Sequence, residues 1–328
     1  MIRTALQILC ALAALAIAPY ALAQADAPEP PAPPVAGGPD EAELAAYLEP
    51  LKALEGDQAA FADRVWDMGN AEFKKLDENR TILANPQSSN DSKIAASREI
   101  RVNVARLEAL AAYGVERFEN NPRLRNFRGN VYYDVLDKQV EGVKEWHTAV
   151  SLDSKYADPY NNLGMHYFHV GRYPLGFQNM DMALKLDPKS PDFCFNMAQN
   201  YLIYRPQTES HRGWPAEKVY KEAMKLSKKA VKLAPKDYEL LQDYAVNFLA
   251  AQNFGVEPNW KEAVKAWRAA RVYARTDEER FFTWMNEGRA WRSMGKKGEA
   301  IAAFQEALKI IPESEVARNN IARLEAGE

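Results

Sequence analysis

The stretch that decides the fold reads Ala157-Asp-Pro-Tyr160-Asn-Asn-Leu163-Gly164-Met-His-Tyr167, then Gly171-Arg-Tyr-Pro174, and later Ala183-Leu-Lys-Leu-Asp-Pro188. Tyr160, Leu163, Gly164 and Tyr167 recur at i, i+3, i+4 and i+7, which places them on one face of a helix. Gly171 and Pro174 are typical of a turn. The stretch therefore predicts two helices joined by a short turn.

The small residue of the second helix recurs along the chain. Ala149 and Ala183 lie 34 residues apart, and the series continues with Ala230, Ala270 and Ala307, after gaps of 47, 40 and 37 residues. The extra residues fall between the first and second helices of two consecutive units, 13 in one and 6 in the next. A stacked helical array tolerates such insertions because those turns project from one edge.

A large, a small and an aromatic residue on the first helix, followed by alanine on the second, resemble the tetratricopeptide repeat, whose period is about 34 residues. The resemblance implies an all-α fold, a right-handed α-solenoid of helix-turn-helix repeats with an irregular helical N-terminal region. Five repeats begin near Arg123, Ala157, Pro191, Tyr238 and Phe281. We call the two helices of each repeat helix A and helix B.

The first 23 residues are typical of a secretory signal peptide. Arg3 precedes an uncharged apolar run, and Ala21-Leu22-Ala23 supplies small residues at the positions that signal peptidase reads. Cleavage between Ala23 and Gln24 predicts a periplasmic or secreted protein. An uncleaved anchor is the alternative, because residues 4–23 carry no charge and about 20 residues can span a membrane.

Four further segments follow the predicted signal. Residues 24–40 form a Pro/Ala-rich linker, because its many prolines exclude a regular helix. Residues 41–122 predict an N-terminal helical region with features of a degenerate repeat, which packs on the first clear repeat and covers its open end. Residues 123–314 hold the five repeats, and residues 315–328 predict a C-terminal capping helix.

Composition excludes several classes of protein. A hydrophobic content of 47% favours a folded chain, and a net charge of -3 disfavours a dedicated nucleic-acid binder. Cys10 lies in the predicted signal, so Cys194 is expected to be a buried thiol and not half of a disulfide. His166 and His169 share one helix side, but no third ligand accompanies them, and zinc needs three or four. The sequence contains no G-x-S-x-G, phosphate-loop or H-E-x-x-H motif, and it predicts a non-enzymatic protein without metal or cofactor.

In the resembling family, five helix-A positions of each repeat face a concave surface that receives peptides or partner helices. Carried over to this chain, they imply a partner-binding set comprising Phe127, Asp134, Asn161, Met165, Phe168, His169, Phe195, Gln199, Leu202, Arg289 and Arg292. The aromatic and aliphatic members predict exposed apolar surface, which is typical of a binding site. The alternative is that the N-terminal helices fill the groove themselves. Lysines of the carboxylate clamp known in the family are absent, since Phe127 and Asp192 occupy their positions.

Two other surfaces are candidates. The two insertions bring together a secondary loop patch of His211, Arg212, Trp214 and Phe254, residue types that are common at interfaces. The alternative is that the two loops pack on each other. A lysine stripe recurs at helical spacing, and it is either a solvated face or a site for an acidic polymer or membrane: Lys218, Lys221, Lys225, Lys228, Lys232 and Lys236.

These observations predict a protein-interaction scaffold or adaptor of the bacterial periplasm or cell envelope, which binds a partner polypeptide in the concave groove. The alternative function is an envelope-associated module that holds an acidic polymer or membrane through the lysine stripe and the aromatic loops.

Overall fold

The computed structural model describes residues 38–327, and all regular structure in that range is helical. The chain divides into two compact units; unit 1 ends at Val170 and unit 2 begins at Gly171. Each unit is a run of helical hairpins, which confirms the predicted all-α class of the α-solenoid type. The predicted signal peptide and most of the predicted linker lie outside the described residues.

Within residues 38–170, unit 1 contains six helices, with bounds α1 Glu41–Lys52, α2 Gln58–Ala84, α3 Asn90–Arg117, α4 Pro122–Asp134, α5 Gln139–Leu152 and α6 Asp158–His169. Helices α2 and α3 form a long hairpin, α1 packs on α3, and α4 and α5 form the first predicted repeat. Apolar side chains at helical spacing on α2 and α3 are buried between them, including Phe61, Val65, Leu107 and Leu110. Leu124 of α4 joins the same core, so the N-terminal helices cover the first repeat as predicted.

Unit 2 contains nine further α-helices, with bounds α7 Tyr173–Leu186, α8 Pro191–Ile203, α9 Arg205–Arg212, α10 Ala216–Leu233, α11 Tyr238–Val246, α12 Trp260–Val272, α13 Asp277–Ser293, α14 Lys297–Ile310 and α15 Glu315–Ala326. Helices α8 and α10, α11 and α12, and α13 and α14 pack as the predicted third, fourth and fifth repeats. Pro188, Pro235 and Pro312 each follow a helix B by two residues, because proline cannot continue a helix interior.

The two insertions of unit 2 differ, because the first forms a helix and the second is an irregular turn. The first forms α9, which ends at Gly213 with a φ of 62°. The second follows a 3-10 helix, Asn247–Phe254, that continues helix A of the fourth repeat and ends at Gly255 with a φ of 69°. Positive φ values of this kind favour glycine, which has no Cβ to clash with the backbone. The tight turns therefore return the chain to the helical array.

The last helix, α15, packs on α14 as the predicted cap. Ser314 caps its N-terminus, and Ala317 and Leu324 are buried. Val316 of the same helix is 55% exposed, because the buried stripe passes through Ala317.

No helix within residues 38–327 combines the length and apolar character needed to cross a membrane.

Candidate functional site

Phe127 does not lie on an exposed surface. It is fully buried, edge-on to Trp66 at 5.4 Å and to Phe73 at 6.2 Å between ring centroids, and it lies against Gly69 of α2. The expectation of an exposed Phe127 was wrong because the N-terminal helices supply the apolar partners that a bound polypeptide would otherwise provide. At this position the alternative of self-occupation is confirmed.

The other candidate residues of unit 1 are also largely buried. Asn161, Met165 and Phe168 of α6 are 5%, 6% and 1% exposed, so the prediction that they present open contact area was wrong. The buried residues of α6 include Asn161 and Asn162 as well as Leu163, so burial extends beyond the face that the pattern assigned to the core. Asp134 is half-buried at the end of α4, and burial raises the pKa of its carboxyl to about 6. Only His169 of this group is exposed.

In unit 2, Gln199 serves an internal polar cluster. Its amide Nε2 donates to Asp243 Oδ1 at 2.6 Å, and Asn247 Nδ2 donates to Asp243 Oδ2 at 3.0 Å. Ser227 Oγ donates to the same carboxyl oxygen at 3.4 Å, so helices of two consecutive repeats meet at Asp243. The expectation that Gln199 offers open contact area was wrong, because its side chain is 3% exposed and holds the repeat interface together.

The Asp243 cluster predicts a pH-dependent stability. Burial raises the pKa of Asp243 to about 7 in the folded protein, whereas an unfolded aspartate titrates near 4. The folded state therefore binds the Asp243 proton more tightly than the unfolded state does. The contribution of this proton to the stability of the folded protein is lost as the pH rises from about 4 through 7. We expect the free energy of unfolding to fall by up to about 1.4 kcal/mol per pH unit in this window, and Asp243→Asn to remove that slope. Urea unfolding at several pH values measures it, with the exposed Glu257→Gln as control.

Arg289 of α13 differs from the other predicted partner-binding residues because it is a partly buried cation. Its side chain is half-buried, and desolvation followed by the nearby charge of Arg292 lowers the pKa of its guanidinium. Its Nη1 donates to Asn286 Oδ1 at 3.0 Å, and no carboxylate of residues 38–327 lies within ion-pair distance. Arg292, one helical turn further, is exposed and donates to Asn320 Oδ1 at 2.7 Å.

Other half-buried arginines of unit 2 are paired with carboxylates. Arg212 donates to both oxygens of Asp181 at 2.8 and 2.6 Å. Arg271 meets Glu287 at 2.5 Å. Because a partly desolvated cation costs free energy unless a counter-charge compensates it, the environment of Arg289 is incomplete by comparison.

Apolar side chains occupy equivalent helix-A positions of the neighbouring repeats. Leu202 and Val246 are half-buried, and Leu249 is 38% exposed. Phe195 is half-buried and packs in part against the core around Cys194. We use the term helix-A surface for five accessible residues of unit 2: Leu202, Val246, Leu249, Arg289 and Arg292.

The fifth repeat matches a known family model. Residues 281–314, which contain α13 and α14, match the family model described as Tetratricopeptide repeat. In this repeat a Cβ on Gly288 would lie 2.6 Å from the ring of Phe304, so the small residue permits the close approach of helix B that the pattern predicted. The fifth repeat is thus similar to the tetratricopeptide repeat family, as its residue pattern predicted.

Several known proteins are similar to larger parts of this chain. Human (Homo sapiens) protein O-mannosyl-transferase TMTC1 is 23% identical over 218 residues, which cover 60% of this chain and 24% of that protein. The chain thus spans about a quarter of that relative's length. YrrB, described as a TPR protein with an unusual peptide-binding site, is 17% identical and has a TM-score of 0.47. The matched region covers 64% of this chain and 96% of the YrrB chain. PilF of Pseudomonas aeruginosa is 12% identical, with coverages of 79% and 100% and a TM-score of 0.47.

The side chains of the secondary loop patch are mostly engaged in contacts within unit 2. His211 stacks on Phe177 with ring centroids 4.4 Å apart, and burial lowers the pKa of its imidazole. Arg212 lies over Phe177 at 5.0 Å and over Trp214 at 5.8 Å while it pairs with Asp181. These contacts fasten α9 to α7 and leave little of Arg212 free.

Phe254 is buried, and the two insertions contact each other. The Phe254 ring lies 5.6 Å from that of Tyr220, and the guanidinium of Arg205 lies over it at 5.6 Å. Arg205 also donates to the carbonyl of Asn253. The prediction of Phe254 and Arg212 as open contact residues was wrong, because the aromatic and cationic side chains satisfy one another. The alternative of mutual packing is confirmed.

Among the described residues, no group of three or more histidine, cysteine, aspartate or glutamate side chains could hold a metal ion. His166 Nδ1 lies 3.1 Å from the Tyr133 hydroxyl, within unit 1. Cys194 is a buried free thiol as predicted, and burial raises its pKa.

Proposed function

We propose that this protein is a non-enzymatic scaffold or adaptor of the periplasm or cell envelope, and that it binds an acidic segment of a partner polypeptide on the helix-A surface of unit 2. The observation that carries the proposal is Arg289, a half-buried cation without a carboxylate partner among residues 38–327. Proteins of the tetratricopeptide repeat family commonly bind protein partners or peptides.

The charges of α13 favour an acidic ligand group. Arg289 and Arg292 lie three positions apart, so their side chains share one helix face, and the charge of Arg292 adds to the cost of the buried charge on Arg289. A partner carboxylate would offset that cost through charge-assisted hydrogen bonds, for which the planar guanidinium is well suited. The free protein thus retains an unfavourable arrangement that a ligand would compensate.

The apolar side chains beside the arginines favour a polypeptide over a small anion. Leu249 is 38% exposed, and Leu202 and Val246 are half-buried at equivalent positions of the adjoining repeats. A segment that carries an acidic residue with apolar neighbours could place its carboxylate at Arg289 and bury its side chains on these residues. Arginine is enriched among the residues that contribute most to the binding free energy of an interface, and burial of the surrounding apolar side chains adds to it.

Site-specific photo-crosslinking tests the proposal. A photoreactive phenylalanine analogue at Leu249 is expected to capture a polypeptide from envelope extract, and Arg289→Met is expected to abolish that capture. Arg172→Met is the matched control, because Arg172 is exposed and lies outside the helix-A surface. Thermal unfolding must show Arg289→Met to be at least as stable as the wild type, since it removes an uncompensated charge. Equal capture by both variants would contradict the proposal.

A further inference from the structure

A strongly basic surface lies on two helices B of unit 2. Between Glu217 and Lys236 the chain carries seven lysines and two glutamates, although the whole protein has a net charge of -3. Helix α12 adds Lys261, Lys265, Arg268 and Arg271 against one glutamate. Lys228 of α10 and Lys265 of α12 lie 3.1 and 3.7 Å from the same residue, Glu262, which shows that the two helices are neighbours.

We use the term basic face for the exposed cations that these two helices and the adjoining turn share: Lys221, Lys225, Lys228, Lys232, Lys236, Lys261, Lys265 and Arg268. Some of its charge is compensated, since Lys221 pairs with Glu217 and Lys225 with Glu222. Within residues 38–327, no carboxylate lies at ion-pair distance from Lys232, Lys236 or Lys261. The face therefore keeps an excess of positive charge.

Exposed apolar side chains accompany these cations. Val272 is 73% exposed, and it follows Lys261, Lys265 and Arg268 at the i, i+4, i+7 and i+11 spacing of one helix face. Leu233, at the end of α10, is 37% exposed and lies between Lys232 and Lys236 in the sequence. The combination of flanking lysines with exposed aliphatic side chains is typical of surfaces that rest on a bilayer.

We propose that the basic face docks this protein on an anionic phospholipid bilayer, with Val272 and Leu233 entering the headgroup region. The proposal goes beyond the binding of a polypeptide and shares no residue with the helix-A surface. Lysines near an anionic leaflet each contribute favourable electrostatic energy, and that attraction adds over the face. The apolar side chains gain only where an apolar phase accepts them, which a bilayer provides and a soluble polyanion does not.

The lysines of α10 are suited to a bilayer, whose phosphate groups have no fixed positions. On α10 every cation is a lysine, a point charge on a flexible stem, whereas arginine is the residue suited to bidentate recognition of a single phosphate. Long lysine stems also allow the charged groups to reach headgroups while the helix lies alongside. The basic face is therefore suited to many headgroup phosphates at once and not to the specific recognition of a single headgroup.

Co-sedimentation with vesicles tests the charge contribution. The purified protein is expected to bind vesicles of 30% phosphatidylglycerol in phosphatidylcholine at about 50 mM salt, and to lose at least about tenfold in partition at 500 mM salt. Lys232→Glu, Lys236→Glu and Lys261→Glu together are expected to weaken binding roughly 100-fold. The matched control reverses three lysines of unit 1, Lys74, Lys144 and Lys155, and is expected to stay within about twofold of the wild type. Equal losses in the two triple variants, or no binding by the wild type, would overturn the proposal.

A second pair of variants distinguishes a bilayer from a soluble polyanion. Val272→Ser is expected to weaken vesicle binding roughly fivefold, because it removes an inserted aliphatic group. Val316→Ser is the control, since Val316 is exposed on α15, away from the basic face. If Val272→Ser bound vesicles as the wild type does while dextran sulfate displaced both proteins, the face would recognise charge alone. That result would replace the bilayer by a soluble polyanion and overturn the proposal.

Discussion

Replacement of Glu287 by alanine is expected to lower the free energy of unfolding by about 3–5 kcal/mol, the range for removing one partner of a buried ion pair. Glu287 is 1% exposed on α13 and accepts hydrogen bonds from Arg268 Nε at 2.8 Å and Arg271 Nη2 at 2.5 Å on α12. Trp291 Nε1 donates to the same carboxylate at 3.2 Å. Without Glu287, the guanidinium of Arg271 would remain largely buried over the Trp284 ring with no counter-charge.

Two further variants identify the cause of that loss. Glu306→Ala removes an exposed carboxylate that pairs with Lys309 on α14, and it is expected to cost less than about 1 kcal/mol. The double variant Glu287→Met with Arg271→Met replaces the buried pair by apolar side chains and is expected to recover most of the stability. Urea unfolding followed by circular dichroism measures all three. A loss below about 1 kcal/mol for Glu287→Ala would mean that the pair is solvated.

Replacement of Trp146 by alanine in unit 1 is expected to cost about 3–5 kcal/mol, as is usual for a buried aromatic residue. Trp146 is fully buried on α5, and its indole covers Gly129 of α4, where a Cβ would lie only 2.5 Å from the ring. Its Nε1 donates to Asn130 Oδ1 at 2.9 Å. The substitution therefore creates a cavity between helices A and B of the first repeat and removes a buried hydrogen bond.

The same asparagine connects α4 to the next repeat. Asn162 Nδ2 of α6 donates to Asn130 Oδ1 at 2.8 Å and to Asn126 Oδ1 at 3.1 Å. We therefore expect Trp146→Ala to weaken packing beyond its own hairpin, which hydrogen exchange of α6 amides would detect. Trp260→Ala, at a half-buried position of unit 2, is the control and is expected to cost less than half as much. Equal losses would contradict a special role for the buried indole.

The architecture was predictable because each repeat carries its own local signals. The alanine series, the glycines and alanines of helix A, and the prolines after helix B all act within one hairpin, and the observed helices follow them. Asn126 occupies the large apolar position of the first repeat, a departure from the pattern. The structure explains it, because the amide joins a hydrogen-bonded chain with Asn162 and Tyr156.

The candidate site was less predictable because exposure depends on residues distant in sequence. Phe127 and Phe195 occupy the same helix-A position in their repeats. Phe127 is covered by Trp66 and Phe73, whereas Phe195 is half-buried. Gln199 occupies a helix-A position that the pattern assigns to the surface. In the fold, Asp243 of the next repeat lies beside it and accepts its hydrogen bond. No spacing rule connects residues 44 positions apart across an insertion of irregular length.

The ion-pair partners of the arginines could not be predicted from the repeat pattern either. Arg212 and Arg289 are both arginines on helices of unit 2, but α9 carries the first to Asp181 while the second meets no carboxylate among the described residues. The insertion that holds Arg212 has two prolines, and it still forms a helix because Pro206 lies in the first turn, where its missing N–H is not needed.

The central claim is that Arg289 binds an acidic group of a partner polypeptide. The most direct test is a calorimetric titration of the polypeptide captured at Leu249 against the wild type, Arg289→Met and Arg172→Met. The claim predicts an affinity 10- to 100-fold lower for Arg289→Met alone, because a charge-assisted pair contributes roughly 1.5–3 kcal/mol. Equal affinities for all three proteins would contradict it.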